Sequence, residues 1–459
     1  MKSLITILLI TTITTLSYAQ SKQDKELIKQ IDQVANDNYK NFAPGCAILV
    51  AKQGQVIYEK GLGLANLELN TPMKPGMVFR VGSITKQFTA VAILQLMEKG
   101  QLALNDSIQK FISGFHVKGK TITIENLLTH TSGITGYDKL DAGIPNAIRV
   151  DFKTRTIIDS LDRLPLEFDP GTRFSYSNSN YFLLGYIIEK QSGKTYPQYL
   201  KENIFDPAGL NSTFYDSQTA LIPDRSGGYA YADGKYQNAG FISMSLVYSA
   251  GALVSTVGDL YKWHLALYNG KLIKKESLAK ATTAFRLADG KPSEYGYGFF
   301  IKNVNGANLI GHGGAIDGFR AMEAYYPEQD IFIACLLNSE KDNDVQFFQL
   351  ISNKVIGEKA GSQNQEIRVS DELLNNYIGT YKNEKYNVSI NVYRVGNHLY
   401  GDLSNGTGSY MKFVALTEKT FELPDIKRVP TTAEFVTENG KITKLILTQE
   451  QPADFIRVQ

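Results

Sequence analysis

The sequence predicts two units in series. The first is an α+β domain with one sheet closed from distant segments, and the second is a small β-barrel or sandwich. Three observations carry this. Strand patterns stand at residues 45–60 and again at 296–338, with helical patterns between them, so one sheet has to be closed by segments far apart in the chain. A stretch without apolar periodicity, 357–370, follows and reads as a linker. Beyond residue 371 the texture changes to short strands separated by turns. At 459 residues the chain is also too long for one ordinary domain.

Taken in order, Met1-Lys2 opens a short basic region, and Leu4 to Leu16 is an apolar, Thr-rich run without charge. Ser17-Tyr18-Ala19 places small residues for cleavage before Gln20. Residues 1–19 therefore read as a secretory signal peptide, the apolar run being too short and too Thr-diluted to span comfortably. The expectation is an exported protein, periplasmic or secreted, with no stable membrane span after signal removal. Residues 22–41 carry Leu27, Ile31, Val34 and Ala35 at helical spacing. Residues 45–51 and 55–60 read as a hairpin turning at Gln53-Gly54. Residues 83–99 form a strongly apolar helix ending at Gly100, a suitable C-cap. From about 105 to 280, helical patterns alternate with long Gly/Ser/Asn loops. Strands return at Gly296–Val304, Asn308–Gly313, Gly318–Tyr326 and Ile331–Asn338. The expected boundaries are thus 20–356 for the first domain and 371–459 for the second. The second carries strand patterns at Tyr377–Tyr381, Asn387–Tyr393, His398–Leu403, Lys412–Leu416, Thr420–Leu423, Ala433–Glu438 and Lys441–Leu447. Asn439-Gly440 is a two-residue hairpin signal.

Composition removes several function classes. Lys and Arg total 48 against 46 Asp and Glu, so the basic surplus that marks nucleic-acid binding is missing. With 39 Gly, 14 Pro and 2 Cys, collagen-like, coiled-coil and disulfide-dense classes fail as well. The two cysteines, Cys46 and Cys335, sit in apolar strand patterns and read as buried free thiols. Five scattered His form no metal-ligand spacing, and no Walker or dinucleotide loop and no Gly-x-Ser-x-Gly elbow occurs. Neither a metal nor a cofactor is expected.

What does occur is Ser83-Ile84-Thr85-Lys86. Ser-x-x-Lys appears four times, at Ser83, Ser107, Ser277 and Ser409, and context separates the copies. Ser409 lies in a β-patterned stretch, where a residue three along points to the other face. Ser277 lies in a solvated helix pattern. Only Ser83 follows a Gly and opens a long apolar helix, where positions i and i+3 share a face and bring the Lys86 amine beside the Ser83 hydroxyl. The helix N-terminus adds partial positive charge there, and burial lowers a lysine pKa toward that of a useful base. Taken alone, the spacing is better read as an N-cap serine with a lysine reaching water. Two further segments change the weight. Tyr176-Ser177-Asn178 follows the turn Pro170-Gly171 and precedes an apolar helix over Tyr181–Gln191, so it lies on a loop held by rigid elements. His312-Gly313-Gly314 ends a strand, and its two glycines allow close approach of another backbone or a ligand.

Together these three segments resemble the serine β-lactamase and penicillin-binding superfamily, closest to its class C and D-Ala-D-Ala carboxypeptidase-like branch. The resemblance covers about residues 30–355, in the order Ser-x-x-Lys, Tyr-x-Asn, then a His-x-Gly variant of Lys-Thr-Gly. Leu127-Leu128-Thr129-His130-Thr131-Ser132-Gly133 also looks like a segment common in that family. The resemblance implies a domain with an antiparallel sheet flanked by helices and a helical subdomain, followed here by an accessory C-terminal β-barrel. It implies that Ser83 attacks a carbonyl to form an acyl-enzyme, with Lys86 and Tyr176 sharing proton transfer and the choice of base open. Asn178 is then expected to orient the substrate amide or Lys86, and His312 to line the opposite wall. The oxyanion is expected at the amides of Ser83 and Ala315, the residue after Gly314. The family topology sets the first and last sheet strands side by side, which leaves a Cys46–Cys335 disulfide as the alternative to two free thiols. His312 and Gly313 stand where relatives that grip a substrate carboxylate carry a cation and a hydroxyl. The expected activity is therefore an amidase, esterase or D-aminopeptidase-like one on a small-molecule or peptide substrate. A β-lactamase or D-Ala-D-Ala carboxypeptidase acting on cell-wall peptides, and a non-catalytic penicillin-binding sensor, are the alternatives.

Overall fold

The computed structural model describes residues 22–39, 42–116, 119–137, 149–232, 234–304, 306–340, 344–356, 367–385, 388–395, 398–403, 410–423, 431–438, 440–448 and 452–458. The signal-peptide pattern, most of the linker pattern, Ser409 and Asn439 lie outside these residues. The chain divides into two compact units, 1–302 with 309–356, and 303–308 with 357–459.

The sheet of the first unit is built from both ends of its chain. β1 (Cys46–Lys52) and β2 (Gln55–Leu62) form the early hairpin, turning through Gln53 and Gly54 at φ 51° and 75°. β3 (Phe300–Val304), β4 (Ala307–Ile316), β5 (Phe319–Tyr326) and β6 (Ile331–Leu337) come from the far end. The order is β3-β4-β5-β6-β1-β2, with β1 antiparallel to β6. This is the mixed sheet-and-helix architecture expected, closed by segments nearly 300 positions apart in sequence. β1 and β6 are buried along almost their whole length, so both faces are covered. The helices α1 (Lys22–Asn38) and α6 (Asp344–Ile356) pack together beside the sheet, and α5 (Val257–Tyr268) packs on β1 and β6.

The register settles the cysteines. Cys46 stands opposite Leu337, and Cys335 opposite Ile48, so the two buried thiols are offset along adjacent strands and no disulfide joins them. The disulfide alternative does not form.

α2 (Thr85–Glu98) runs through the middle of the unit. Every residue from Thr85 to Leu96 is buried, which is why its apolar character shows on all sides rather than as a stripe. Phe88 stacks on Trp263 of α5 with ring centroids 4.0 Å apart. α3 (Asn178–Ser192) and α4 (Met244–Gly251) pack against it. α3 begins three residues earlier than the apolar pattern, because Ser177 in extended conformation starts the helix and polar Asn178 forms its first turn. Three short sheets were not anticipated: Leu64–Asn66 with Thr71–Pro72, Leu253–Ser255 with Phe79–Arg80 and Phe214–Tyr215, and the hairpin of Tyr229–Ala232 with Lys235–Asn238. Two- to four-residue strands are too short to display alternation. Ser277 is buried, not solvated, on the helix Lys275–Ala281.

The second unit is a closed antiparallel barrel. Its strands are β7 (Gly379–Asn383), β8 (Val388–Val395), β9 (His398–Leu403), β10 (Tyr410–Ala415), β11 (Thr420–Glu422), β12 (Thr432–Glu438), β13 (Lys441–Thr448) and β14 (Pro452–Arg457). Closure comes from Tyr381 and Lys382 of β7 pairing with Arg457 and Ile456 of β14. The sequence pattern missed β14 because Phe455 is its one buried large side chain, while Ile456 points outward. It also began β7 at Tyr377. That residue instead ends the helix Asp371–Tyr377, whose N-cap Ser370 accepts from the Leu373 amide. Tyr377 stacks on Phe435, 4.2 Å between centroids, in a core shared with Tyr381, Phe413 and Phe421. Among the described residues no helix is long and apolar enough to cross a membrane.

Candidate active site

Ser83 lies in the single 3-10 turn Gly82–Ile84 that leads directly into α2. Gly82 has φ +49°, a left-handed backbone that a side chain would strain. The serine thus sits at the positive end of a buried helix, and Lys86 follows on the same face one turn later.

Lys86 is fully buried. Its Nζ lies 3.0 Å from Ser83 Oγ, 2.8 Å from Asn178 Oδ1 and 2.8 Å from the Ala250 carbonyl oxygen. The two shorter contacts are to atoms that can only accept. A neutral amine satisfies both with its two N–H bonds, which leaves its lone pair toward the one partner able to donate, the Ser83 hydroxyl. Burial holds the amine well below its ordinary pKa of 10.5 and so favours that neutral form. The Ala250 carbonyl is turned inward by a break in α4 at Tyr248, φ 38° and ψ −129°.

Tyr176 arrives from the segment before α3. Its hydroxyl is hydrogen-bonded to Ser83, and its ring centroid lies 4.9 Å from Lys86 Nζ. Burial among aromatic rings raises the phenol pKa, so it stays an O–H at neutral pH. Tyr176 is nonetheless 37% exposed, which puts one side of it at the mouth of the cleft. Phe300 of β3 stacks nearly parallel to it, 6.2 Å between centroids at 9°.

His312 lies within β4 rather than at its end and is 3% exposed. Its Nε2 is 2.9 Å from the Tyr295 hydroxyl, and its Nδ1 donates to the Gly313 carbonyl. Burial, and then the nearby Lys86, push its pKa down to about 3. The ring is neutral and both nitrogens are engaged, so it offers the cleft no cation. Its main-chain N–H donates to the buried Glu323 carboxyl of β5. Glu323 also accepts from Gln87 Nε2, whose Oε1 in turn accepts from Trp263 Nε1 at 3.0 Å. Desolvation pushes Glu323 up to about 7.

Gly314 and Ala315 pack main chain to main chain on the Ser83 turn. A Cβ on Gly314 would stand 2.0 Å from the Val81 carbonyl oxygen and 3.2 Å from the Ser83 nitrogen. A Cβ on Gly82 would stand 3.0 Å from the Ala315 nitrogen. Ala315 itself is exposed, on the open side.

The structure therefore gathers Ser83, Lys86, Tyr176 and Asn178 in one hydrogen-bonded cluster, with Gly314 and Ala315 against the serine and His312 behind the aromatic wall. Sequence reasoning missed Ala250 and Tyr295, for which no local signal exists. It gave no role to His130, which is wholly buried against Tyr176. The four polar residues Thr129 to Ser132 in succession, all buried, are what marks that segment. Among the described residues no group of three or more His, Cys, Asp or Glu converges to hold a metal ion.

Comparison with known proteins agrees with this architecture. The Beta-lactamase family model matches residues 26–351, and a model described as a domain of unknown function, DUF3471, matches residues 363–457. Penicillin-binding protein 4* of Bacillus subtilis is 30% identical over 65% of this chain and 69% of its own length. The putative penicillin-binding protein PbpX of the same organism is 31% identical over 73% and 81%. The D-aminopeptidase of Gluconobacter oxydans is 26% identical over 67% and 58%. Among solved structures, the octameric penicillin-binding protein homologue from Pyrococcus abyssi superposes with a TM-score of 0.65 at 26% identity, covering 95% of this chain and 99% of that one. A D-stereospecific amidohydrolase from Streptomyces superposes at 0.60 and 25% identity, covering 73% and 99%. With a family match over most of its length, this chain belongs to the β-lactamase family and is a serine hydrolase of that wider superfamily.

Proposed function

We propose that the protein hydrolyses a small amide or ester through an acyl-enzyme on Ser83. The observation that carries this is the Lys86 amine, buried and held by Asn178 and Ala250, with its remaining valence toward Ser83 Oγ at 3.0 Å. Lys86 takes the Ser83 proton as the oxygen attacks the carbonyl carbon. Burial lowers the lysine pKa and raises that of Tyr176, so of the two groups the amine is the better base and the phenol the better donor. The N–H groups of Ser83 and Ala315 receive the developing oxyanion. As the C–N or C–O bond breaks, the proton passes through the Tyr176 hydroxyl to the leaving group. Water then repeats the sequence on the acyl-enzyme and releases the acid.

The substrate class follows from the wall opposite the serine. A neutral His312 and a Gly313 without a hydroxyl give a substrate carboxylate no partner in the third segment. This supports an amidase, esterase or D-aminopeptidase-like activity over β-lactam or D-Ala-D-Ala hydrolysis. The likeness to a D-aminopeptidase and a D-stereospecific amidohydrolase supports the same reading. The pattern of residues 1–19 supports action after export.

The test is a panel of a chromogenic cephalosporin, a short p-nitrophenyl ester and a D-alanine anilide, with wild type and Ser83→Ala. Turnover of the ester or anilide that disappears in Ser83→Ala is expected, with a covalent acyl adduct visible by intact-mass spectrometry in the wild type alone. Turnover surviving Ser83→Ala defeats the proposal. A stoichiometric adduct without turnover points to a sensor, and preference for the cephalosporin to a β-lactamase.

A further inference from the structure

His130 carries two local costs that a core histidine need not bear. Its backbone is in the left-handed region at φ 55°, unusual for a residue with a side chain. Its ring is fully buried, and among the described residues Nε2 has no hydrogen-bond partner. The other nitrogen explains the tautomer. Nδ1 lies 3.1 Å from the Ser177 amide nitrogen, which can only donate, and 3.2 Å from Asn180 Nδ2. Nδ1 is therefore the acceptor and the proton sits on Nε2, facing aromatic rings. Burial and the nearby Lys86 and His312 lower the ring's pKa well below its ordinary value, so Nδ1 stays an acceptor.

The partners of His130 fall on either side of one residue. Its carbonyl oxygen accepts from the Ser175 amide at 3.0 Å, and its Nδ1 accepts from the Ser177 amide. Between them stands Tyr176, whose ring lies against the imidazole, 4.3 Å between centroids at 34°. The histidine is itself enclosed by Tyr181 at 5.1 Å and Tyr295 at 4.8 Å. Main chain and side chain of one residue thus hold the amides of both residues flanking Tyr176, Ser175 and Ser177, and back its ring. An unpaired N–H and a left-handed backbone persist where the surrounding structure over-determines them, and such outliers point to function.

We infer that His130 is the positioning residue for Tyr176: by bracketing residues 175 and 177 and supporting the phenol ring, it holds the Tyr176 hydroxyl on Ser83. It touches no reacting atom and acts only through Tyr176, so this inference rests on the proton-relay role proposed above for that residue.

Two variants separate the acceptor from the ring. His130→Asn keeps an acceptor near the place of Nδ1 and is at ease with positive φ, but loses the ring. His130→Phe keeps a ring and loses the acceptor. Both are made in the full chain beside Tyr176→Phe and the double variant His130→Phe/Tyr176→Phe, and assayed with the p-nitrophenyl ester. Turnover is expressed per acylated serine counted by intact-mass spectrometry, so misfolded protein does not enter kcat. His130→Asn is expected to keep kcat within about fivefold. His130→Phe is expected to lose about 100-fold in kcat, the scale of a misplaced catalytic group, with KM changed by less than about threefold. In the Tyr176→Phe background His130→Phe is expected to add no further loss, since both act on one step.

The inference is overturned if His130→Asn falls as far as His130→Phe, or if the two losses in the double variant multiply. Should His130→Phe not fold, His130→Asn decides alone: kcat near wild type supports the clamp, and a loss as large as that of Tyr176→Phe overturns it. If instead Tyr176→Phe retains wild-type kcat, the role of Tyr176 itself fails and takes this inference with it.

Discussion

Asn178→Asp puts a carboxylate where an amide oxygen now stands 2.8 Å from Lys86 Nζ. At that distance, with an effective dielectric constant of about 20, the attraction between ammonium and carboxylate is about 6 kcal/mol, a ceiling equivalent to about four decades in the protonation equilibrium. Even half of that stabilises the ammonium strongly against the burial that now favours the free amine. The direction is fixed by the role. A base must be unprotonated to act, so kcat/KM rises with pH through the lysine pKa, and raising that pKa moves the acid limb of the profile alkaline. The expected movement is two pH units or more, with a loss of about 100-fold at pH 7 that is recovered as the pH approaches 10. The assay is kcat/KM for the p-nitrophenyl ester from pH 5 to about 10, corrected for spontaneous hydrolysis. An acid limb in the same place, with activity at pH 7 undiminished, refutes Lys86 as the base.

Two further outcomes follow from the same geometry. Glu323 is pushed up from the ordinary 4.5 to about 7, so the folded state keeps a proton there that the unfolded chain releases. That contribution is complete below pH 4.5 and is lost as the pH rises through about 7, about 3 kcal/mol in all; urea denaturation at pH 5 and pH 8 should show a fall that Glu323→Gln flattens, and equal pH dependence in both proteins would refute it. Gly314→Ala forces a Cβ to within 2.0 Å of the Val81 carbonyl oxygen, so strand and serine turn must part. A kcat loss of about 100-fold or more and a lowered Tm are expected, and a variant that acylates at the wild-type rate would show that this contact does not set the site.

Much of the site was legible because it is written in short-range spacing. Ser83 and Lys86 share a face through the helical repeat alone, and the glycines at 82 and 314 mark the places where backbone meets backbone. The hairpin at Gln53-Gly54, the apolar helix closed by Gly100 and most strands of the large sheet and the barrel follow equally from local pattern and turn chemistry. Other features left no such trace. β14 closes the barrel with a single buried large side chain, and the register that keeps Cys46 and Cys335 apart depends on how strands 285 positions distant are aligned. The Ala250 carbonyl reaches Lys86 through a break inside α4, and His130 clamps Tyr176 from 46 positions away.

Local sequence thus sets the local frames: where most helices and strands run, where a serine opens a buried helix, and which glycines permit close approach. Which of those frames meet, which tautomer His130 holds, and that Lys86 is a buried amine rather than a surface cation came from the three-dimensional packing. The reason is physical. Helical and strand periods are properties of consecutive residues, whereas desolvation and hydrogen-bond partners are properties of a place, made by whatever distant chain happens to fill it.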